Sequence, residues 1–361
     1  MTSKITSGTL GVLFADPKNG KTSLLAGVFP GETTYWFAKD PSSIQLVASA
    51  EYGYTPGVYG SDKDFSGGTI RTPKPGEGDI TWLTSMLRQL ARSGKFGHDK
   101  QYRQVVVDDV SHFGLTELDK CLTVGKTYNK DGSENYSKGY QAANTSVVKL
   151  LEACHAITAL GVQVWFTSHK VKPQQDKKTE EWRQGGPKFC NPAQAQMVAG
   201  FFGICAEVVS YEEYPDHNSV RSFRRAIKCD ATETELYPYC DRAGACYELT
   251  PPNLRAVYIM NGTDPKSLPR LPGCRWQDKL MLKLADKVQK GAKQDAELWK
   301  WCTTASTLKS LGKEFSTHAK SVSSKILIRH IRQAYQDGLA LGIHRLRNDK
   351  ISMVVDLSFL S

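Results

Sequence analysis

The residues Ala15-Asp16-Pro17-Lys18-Asn19-Gly20-Lys21-Thr22, followed by Ser23, carry the densest chemical signal in the chain. A glycine directly before a lysine and a hydroxyl residue, on the heels of a short apolar run, suits a phosphate chain. Gly20 lets backbone N–H groups approach closely, Lys21 reaches the β- and γ-phosphates, and the Thr22 hydroxyl can ligate Mg²⁺. The common G-x-x-x-x-G-K-[ST] pattern begins with glycine where Ala15 stands, so its first turn carries a Cβ. The expected cofactors are ATP and Mg²⁺, held by Ala15 through Ser23.

A second element must bring acid to that loop. Val105-Val106-Val107-Asp108-Asp109 reads as a buried strand delivering carboxylates at its C-terminal end. Asp108 is the expected partner of Thr22 at Mg²⁺, and Asp109 either polarises water or supports the metal shell. A third apolar run, Val162 to Phe166, leads into Thr167-Ser168-His169-Lys170 and makes His169 a candidate sensor of the terminal phosphate, unless it is a hydrogen-bonded structural residue. Asp40, after another apolar run, is a candidate catalytic carboxylate or a helix cap.

The elements that would position these residues alternate between strand and helix patterns. Leu10 to Phe14, Thr34 to Phe37, Val105 to Val107 and Val162 to Phe166 read as strands; Gly20 to Ala26, Ile80 to Arg92 and Ala142 to Leu160 read as helices. That alternation predicts an α/β fold with helices covering a mostly parallel sheet. Cys205 to Tyr211 and Val220 to Lys228 read as two more strands, either side of a turn at Pro215 to Asn218. Two polar insertions, Gly125 to Tyr140 and Lys170 to Lys188, mix lysines with Tyr128, Tyr136, Tyr140 and Trp182. Such loops either track phosphates and stack bases or serve as plain surface connections.

Composition sets the outer bounds. The 361 residues, 40% apolar and 23% charged, are enough for two or three folded domains, and no run approaches the length of a membrane span. Nine cysteines without a secretory leader pattern predict reduced thiols in an intracellular, cytoplasmic setting. Cys229, Cys240, Cys246 and Cys274, with Cys205 or His217, form a zinc candidate without a close CxxC pair. The division expected is a core over residues 1–258, a linker over 259–274 and a basic, mainly helical region over 275–361. Arg275 to Lys350 holds 16 Lys/Arg against 7 Asp/Glu, nearly all of the chain's net charge of +10. Such a region suits a polyanion, or only solubility.

The segments ADPKNGKTS, YWFAKDPSS, GYTP, VVVDDVS and WFTSHKVK together resemble the RecA-like P-loop ATPases of phage type, the compact single-strand annealing and recombination group. The resemblance spans about Thr9 to Tyr258. It implies a RecA-like core in which Lys21 and Thr22 bind phosphate and Mg²⁺, Asp108 is the strand-end acid, Asp40 stands where the family often has glutamate, and His169 takes the switch position. It also implies a homo-oligomer with a site between subunits, reached in trans by Arg242 of Cys240-Asp241-Arg242, a degraded form of the family's KxR or KDR sequence. The expected partners are single-stranded DNA or another nucleic acid, and a replication or recombination protein.

Two functions follow. One is a DNA-dependent ATPase acting on single strands in recombination, annealing or replication. The other is a nucleotide-bound assembly or packaging-scaffold protein with weak or no hydrolysis, which Ala15 and the imperfect Cys240-Asp241-Arg242 segment favour. A metabolic kinase is a third class, since a phosphate loop alone does not choose its acceptor.

Overall fold

The computed structural model describes residues 8–26, 33–47, 70–74, 77–97, 99–175, 180–213, 222–229, 237–241, 248–249 and 254–260, with 334, 337 and 338. Contacts divide the chain into two compact units. The first comprises Met1–Gly27, Gly31–Glu207 and Ala231–Cys240; the second comprises Val28–Pro30, Val208–Asp230 and Asp241–Ser361.

In the first unit the elements run β1 (Leu10–Ala15), α1 (Lys21–Ala26), β2 (Thr34–Ala38), α2 (Pro41–Val47), β3 (Ile70–Arg71), α3 (Ile80–Arg92), β4 (Gln104–Asp108) and α4 (Val110–Gly125). Then come the hairpin strands β5 (Thr127–Tyr128) and β6 (Glu134–Asn135), followed by α5 (Ser137–Thr158) and β7 (Gln163–Val171). A second hairpin, β8 (Gln174–Gln175) and β9 (Trp182–Arg183), precedes β10 (Gly186–Pro187), α6 (Ala195–Ala199) and β11 (Ile204–Glu213), of which the residues from Val208 on belong to the second unit. The sheet order is β11-β1-β7-β4-β2-β3. These neighbours are parallel, as Phe14↔Glu207, Ala15↔His169, Val107↔Phe166 and Ala38↔Asp108 illustrate. The registers align the C-terminal ends of β1, β4 and β7, which is where an open parallel sheet binds ligands.

The strands are apolar almost continuously because both faces are covered. Val12, Phe14, Phe37, Val105, Val107 and Phe166 share one buried cluster with Leu83, Leu87 and Leu90 of α3 and Val147, Leu150 and Leu151 of α5. The alternate residues Leu13, Trp36, Val106 and Trp165 are equally buried but outside that cluster, as the two-residue period of a strand requires. Gly11 makes room for one of them: a Cβ there would stand 2.6 Å from the Trp165 ring.

The α/β fold with a mostly parallel sheet is as the sequence pattern predicts, and the four expected N-terminal strands are present. Three boundaries differ. A helix covers Val110–Gly125, whose apolar residues do not keep a clean amphipathic stripe because Glu117 and Ser111 are buried on polar contacts. The first insertion is shorter than expected: after the small β5–β6 hairpin, α5 begins at Ser137. Strand β7 continues past Phe166 to Val171, pairing with β10 through Lys170↔Pro187 and Val171↔Gly186, so the polar composition of its end concealed a strand.

The second unit contains β12 (Ser222–Lys228), β14 (Glu248–Leu249) and α7 (Leu254–Met260), and β13 (Cys240–Asp241) has one residue in each unit. Strands β12 and β14 pair antiparallel. Arg255 Nε donates to Asp337 Oδ2 at 2.8 Å, and both side chains are buried. The Pro215 to Asn218 turn, the 259–274 linker and, apart from residues 334, 337 and 338, the basic region lie outside the described residues.

Candidate functional site

The loop from Asp16 to Gly20 leaves the end of β1 and turns back before α1 begins at Lys21. Two positive φ angles make the turn, 67° at Lys18 and 86° at Gly20. At Gly20 the left-handed conformation carries no Cβ penalty. The Lys21 ammonium curls under the loop and donates to the carbonyl oxygens of Ala15 (3.3 Å) and Asp16 (3.4 Å). Burial lowers the Lys21 pKa, against the opposing charges of Asp109, Asp108 and Asp16. A desolvated ammonium held on two weak carbonyl contacts is suited to an incoming anion. Ala15, the departure from the usual glycine, is the fully buried last residue of β1, so its methyl points into packed structure while the turn begins at exposed Asp16.

Asp108 closes β4 directly opposite. Its Oδ2 accepts from Thr22 Oγ1 at 2.9 Å and its Oδ1 accepts from Thr167 Oγ1. Burial pushes the Asp108 pKa up, and the neighbouring Asp109 charge adds to this, while hydrogen bonds from Thr167, Thr22 and Ser43 work against it. The donor set fits a magnesium-bound phosphate chain: a hydroxyl and a carboxylate already paired, an ammonium beside them, and a turn of exposed backbone above.

Asp109 faces a different partner. Its Oδ1 accepts from Ser111 N at 2.7 Å and caps α4, and its Oδ2 lies 3.3 Å from His169 Nε2. Burial, together with the charges of Lys21, His112 and Lys188, lowers the His169 pKa although Asp109 pulls it upward. His169 is further fixed through its backbone: its N–H donates to Ser111 Oγ at 2.9 Å, and Ser111 Oγ donates to the Lys188 carbonyl at 2.8 Å. Ser168 Oγ reaches the same carbonyl at 2.8 Å.

Lys21, Thr22, Asp108, Asp109 and His169 are therefore brought together by the ends of β1, β4 and β7. Asp40 stands at the edge, where its carboxylate accepts from Ser42 N at 3.2 Å and from Ser42 Oγ, and its carbonyl accepts from Ile44 N at 3.2 Å. Burial opposes its ionisation, but the Ser42 bonds and the nearby His112 hold its pKa below the ordinary carboxylate value. Arg242 lies outside the described residues.

Four contributors were missed in the sequence. Thr167 is the hydroxyl that binds Asp108, and Ser111, Ser168 and His112 surround His169; the His112 and His169 rings lie 5.4 Å apart. Only the position of Thr167 at a strand end beside His169 could have suggested it. Among the described residues no group of three or more His, Cys, Asp or Glu is gathered as a metal site. Of the zinc candidates, Cys246, Cys274 and His217 lie outside the described residues. Cys240 Sγ approaches the carbonyl oxygens of Phe202 (3.2 Å) and Gly203 (3.5 Å).

A strand, a turning loop with lysine and threonine, and a neighbouring strand that ends in acid define a P-loop NTPase with a RecA/AAA+-like core. The sequence profile of the family described as an AAA domain matches residues 7–198, more than half of the chain, and the chain belongs to that family, which implies nucleotide binding. No curated protein matches it by sequence. Among solved structures it is similar to the flagellar accessory protein FlaH from Methanocaldococcus jannaschii, at a TM-score of 0.35 and 10% identity over 68% of this chain and 85% of that one. A KaiC-like protein from the hyperthermophile Pyrococcus horikoshii matches at a TM-score of 0.32 and 12% identity, over 62% of this chain and 78% of that one. No helix among the described residues is long and apolar enough to cross a membrane.

Proposed function

We propose that this protein binds a magnesium-bound nucleoside triphosphate, with ATP the expected ligand, and uses it chiefly as an assembly or switching ligand that it hydrolyses slowly. The observation that carries this reading is the state of the three carboxylates. Asp108 is engaged by Thr22 and Thr167, Asp109 caps α4 and faces His169, and Asp40 is engaged by Ser42. The residues expected to bind phosphate and Mg²⁺ lie together, whereas each of these three acids is already engaged by a neighbour among the described residues.

When bound, the cation would supply charge neutralisation on the terminal phosphates. Thr22 and Asp108 would hold it, Lys21 would bind the phosphate oxygens, and the Asp16 to Gly20 turn would wrap the chain of phosphates. Asp109 would orient His169, and His169 would read the terminal phosphate. Its backbone bond to Ser111 and the serine bonds to the Lys188 carbonyl give the signal a path toward β10.

A second reading, a DNA-dependent ATPase completed between subunits, is favoured by the basic charge of Arg275 to Lys350. Hydrolysis measured at several protein concentrations, with and without single-stranded DNA, duplex DNA and RNA, separates the two. Tight triphosphate binding with slow turnover that no polynucleotide accelerates supports the assembly reading. Turnover that rises with protein concentration and single strands overturns it, and Asp40→Asn then tests whether that residue activates water: retained ATP binding with lost hydrolysis would assign it that role.

A further inference from the structure

A second charged cluster begins one residue along β7 from His169. Phe14, near the end of β1, pairs with Ser168 on one side and with Glu207 of β11 on the other. Directly paired residues share a face and neighbours along a strand alternate. Ser168, Lys170 and Glu207 therefore lie on the face of Phe14, and His169, paired with Ala15, lies on the opposite one. On the shared face Lys170 reaches across the end of β1, and its ammonium donates to Glu207 Oε1. Tyr239 OH donates to Glu207 Oε2 at 2.6 Å, and the Lys170 ammonium stands 4.4 Å from the centre of the Tyr237 ring. The two tyrosine rings stack on each other at 5.6 Å, and each lies 6.1 Å from the ring of Phe14.

The pair is withdrawn from water, with the Lys170 side chain 15% exposed and that of Glu207 5%. Burial works against the Lys170 charge, but the bonds with Glu207 and Tyr237 and the Glu207 charge outweigh it and raise its pKa. A buried ion pair is weak evidence for stability, because apolar residues of similar volume often serve as well; its best attested use is to fix a register or a switch. Here it joins two stretches that are remote in the chain. One is residues 168–170, each of which is held separately: Ser168 Oγ on the Lys188 carbonyl, His169 N on Ser111 Oγ, and Lys170 on Glu207. The other is residues 237–240, which Tyr239 ties to the second oxygen of the same carboxylate.

We propose that Glu207 is a positioning residue of the phosphate site: through Lys170 it links the His169 end of β7 to residues 237–240, so that engagement of a terminal phosphate by His169 shifts that segment. The inference rests on the reading of His169 as a sensor and names a destination for its signal. His169 and Lys170 are consecutive and take opposite faces, so a turn of the backbone at one turns the other. Glu207 then passes the movement on, since one of its oxygens accepts from Lys170 and the other from Tyr239. The packing leaves little slack to absorb it. A Cβ at Gly185 would stand 2.3 Å from the Val171 carbonyl oxygen and 2.7 Å from the Tyr237 ring, and a close-packed interior transmits strain.

The test is hydrogen–deuterium exchange on the full chain with Mg²⁺ and either ADP or a non-hydrolysable ATP analogue, read in the peptide that contains residues 237–240. Binding of both nucleotides is measured by titration on every variant, and exchange is read at saturation. In the parent, exchange in this peptide is expected to differ about fivefold or more between the triphosphate and diphosphate states. Tyr239→Phe keeps the stacked ring and loses only the hydroxyl, and it is expected to bring that ratio close to one while the triphosphate still binds. The double variant Lys170→Met with Glu207→Leu replaces the ion pair by apolar side chains and is expected to do the same. Glu207→Gln, whose amide can accept from Lys170 and donate to Tyr239, is expected to retain part of the ratio.

Equal exchange in the two nucleotide states of the parent would overturn the proposal. So would the parent's ratio in both Tyr239→Phe and the double variant, with exchange faster by the same factor in each state, since that is the mark of residues that only stabilise the fold. His169→Gln separates this outcome from the sensor reading. Loss of the ratio in His169→Gln but not in Tyr239→Phe or the double variant keeps the sensor and refutes the link. The parent's ratio in His169→Gln, with loss in Tyr239→Phe and the double variant, refutes His169 as the sensor and supports Glu207 as the link.

Discussion

At Asp108 the needs of function and of stability pull apart. Its carboxyl is buried and its pKa is raised, chiefly by desolvation. A carboxylate that ionises less readily in the fold than in the unfolded chain weakens the fold at every pH above its unfolded value. Asp108→Asn keeps the shape, with its amide oxygen accepting from one threonine hydroxyl and its NH2 donating to the other, so it is expected to raise the thermal midpoint of the ligand-free protein while abolishing the magnesium dependence of triphosphate binding. Scanning calorimetry beside calorimetric titration checks both effects. Lys21→Ala removes the charge at the phosphates and is expected to weaken ATP binding at least tenfold; binding equal to that of the parent would refute the site. His169 gives a pH signature. Its pKa is lowered in the fold, so the unfolded chain takes up the proton first, and stability falls as pH drops below about 6.5. His169→Gln should flatten that part of the stability–pH curve. A triphosphate beside His169 and Lys21 favours their charged forms, so binding at neutral pH should be accompanied by proton uptake, measurable as a buffer-dependent heat.

Among the elements, α4 sets the geometry of the site. Its N-terminus is capped by Asp109, and its middle carries Glu117, which is 2% exposed. Glu117 accepts from Thr81 N at 3.0 Å, from Thr81 Oγ1 at 3.1 Å and from Ser146 Oγ at 2.7 Å, so one carboxylate ties α4 to the start of α3 and to α5. Glu117→Ala leaves these donors without their acceptor and is expected to cost on the order of 3 kcal/mol in denaturant unfolding, whereas Glu117→Gln should recover part of it. The same helix approaches the Phe189 backbone so closely that a Cβ at Gly114 would stand 1.9 Å from the Phe189 carbonyl oxygen. Gly114→Ala is expected to destabilise by about 1–3 kcal/mol or more. Because Phe189 follows Lys188, whose carbonyl holds Ser111 and Ser168, a displaced α4 should also weaken triphosphate binding.

For the whole molecule, charge and ligand chemistry occupy different stretches of the chain. The phosphate-binding residues all fall in the first unit, and the basic excess lies in the second. We take the division into a core over 1–258, a linker over 259–274 and a basic region over 275–361 as a proposal. Removing residues 275–361 should then reduce both the affinity for polynucleotide and its salt dependence, while triphosphate binding persists if the shortened chain keeps its fold. A truncated protein with the parent's salt slope would assign the basic charge to assembly or partner binding instead. Sedimentation with and without ATP completes that test, since an assembly ligand must shift the distribution of oligomers.

The sequence alone determined what is local in the chain. An apolar run before Gly20-Lys21-Thr22 and another before Asp108 announce strands, and a parallel α/β core follows from their alternation with helices, because backbone periodicity is written residue by residue. It also made Lys21 and Thr22 legible as consecutive residues of a phosphate loop, and Asp108 as the acid that ends a separate apolar run. Only the tertiary structure decided what depends on register between distant strands. Pairing Ala15 with His169 and Val107 with Phe166 sets Thr167 against Asp108, and capping of α4 by Asp109 turns its second oxygen to His169. At Asp40 the sequence left a catalytic carboxylate and a helix cap both open, and only the fold shows its oxygens accepting from Ser42, two residues on. Trp182 attracted attention by its type, yet the face it takes follows from its pairing with Gln175 across a two-residue hairpin strand. Which side of a strand a residue occupies is fixed by the partner strand, and no spacing within the sequence records that partner.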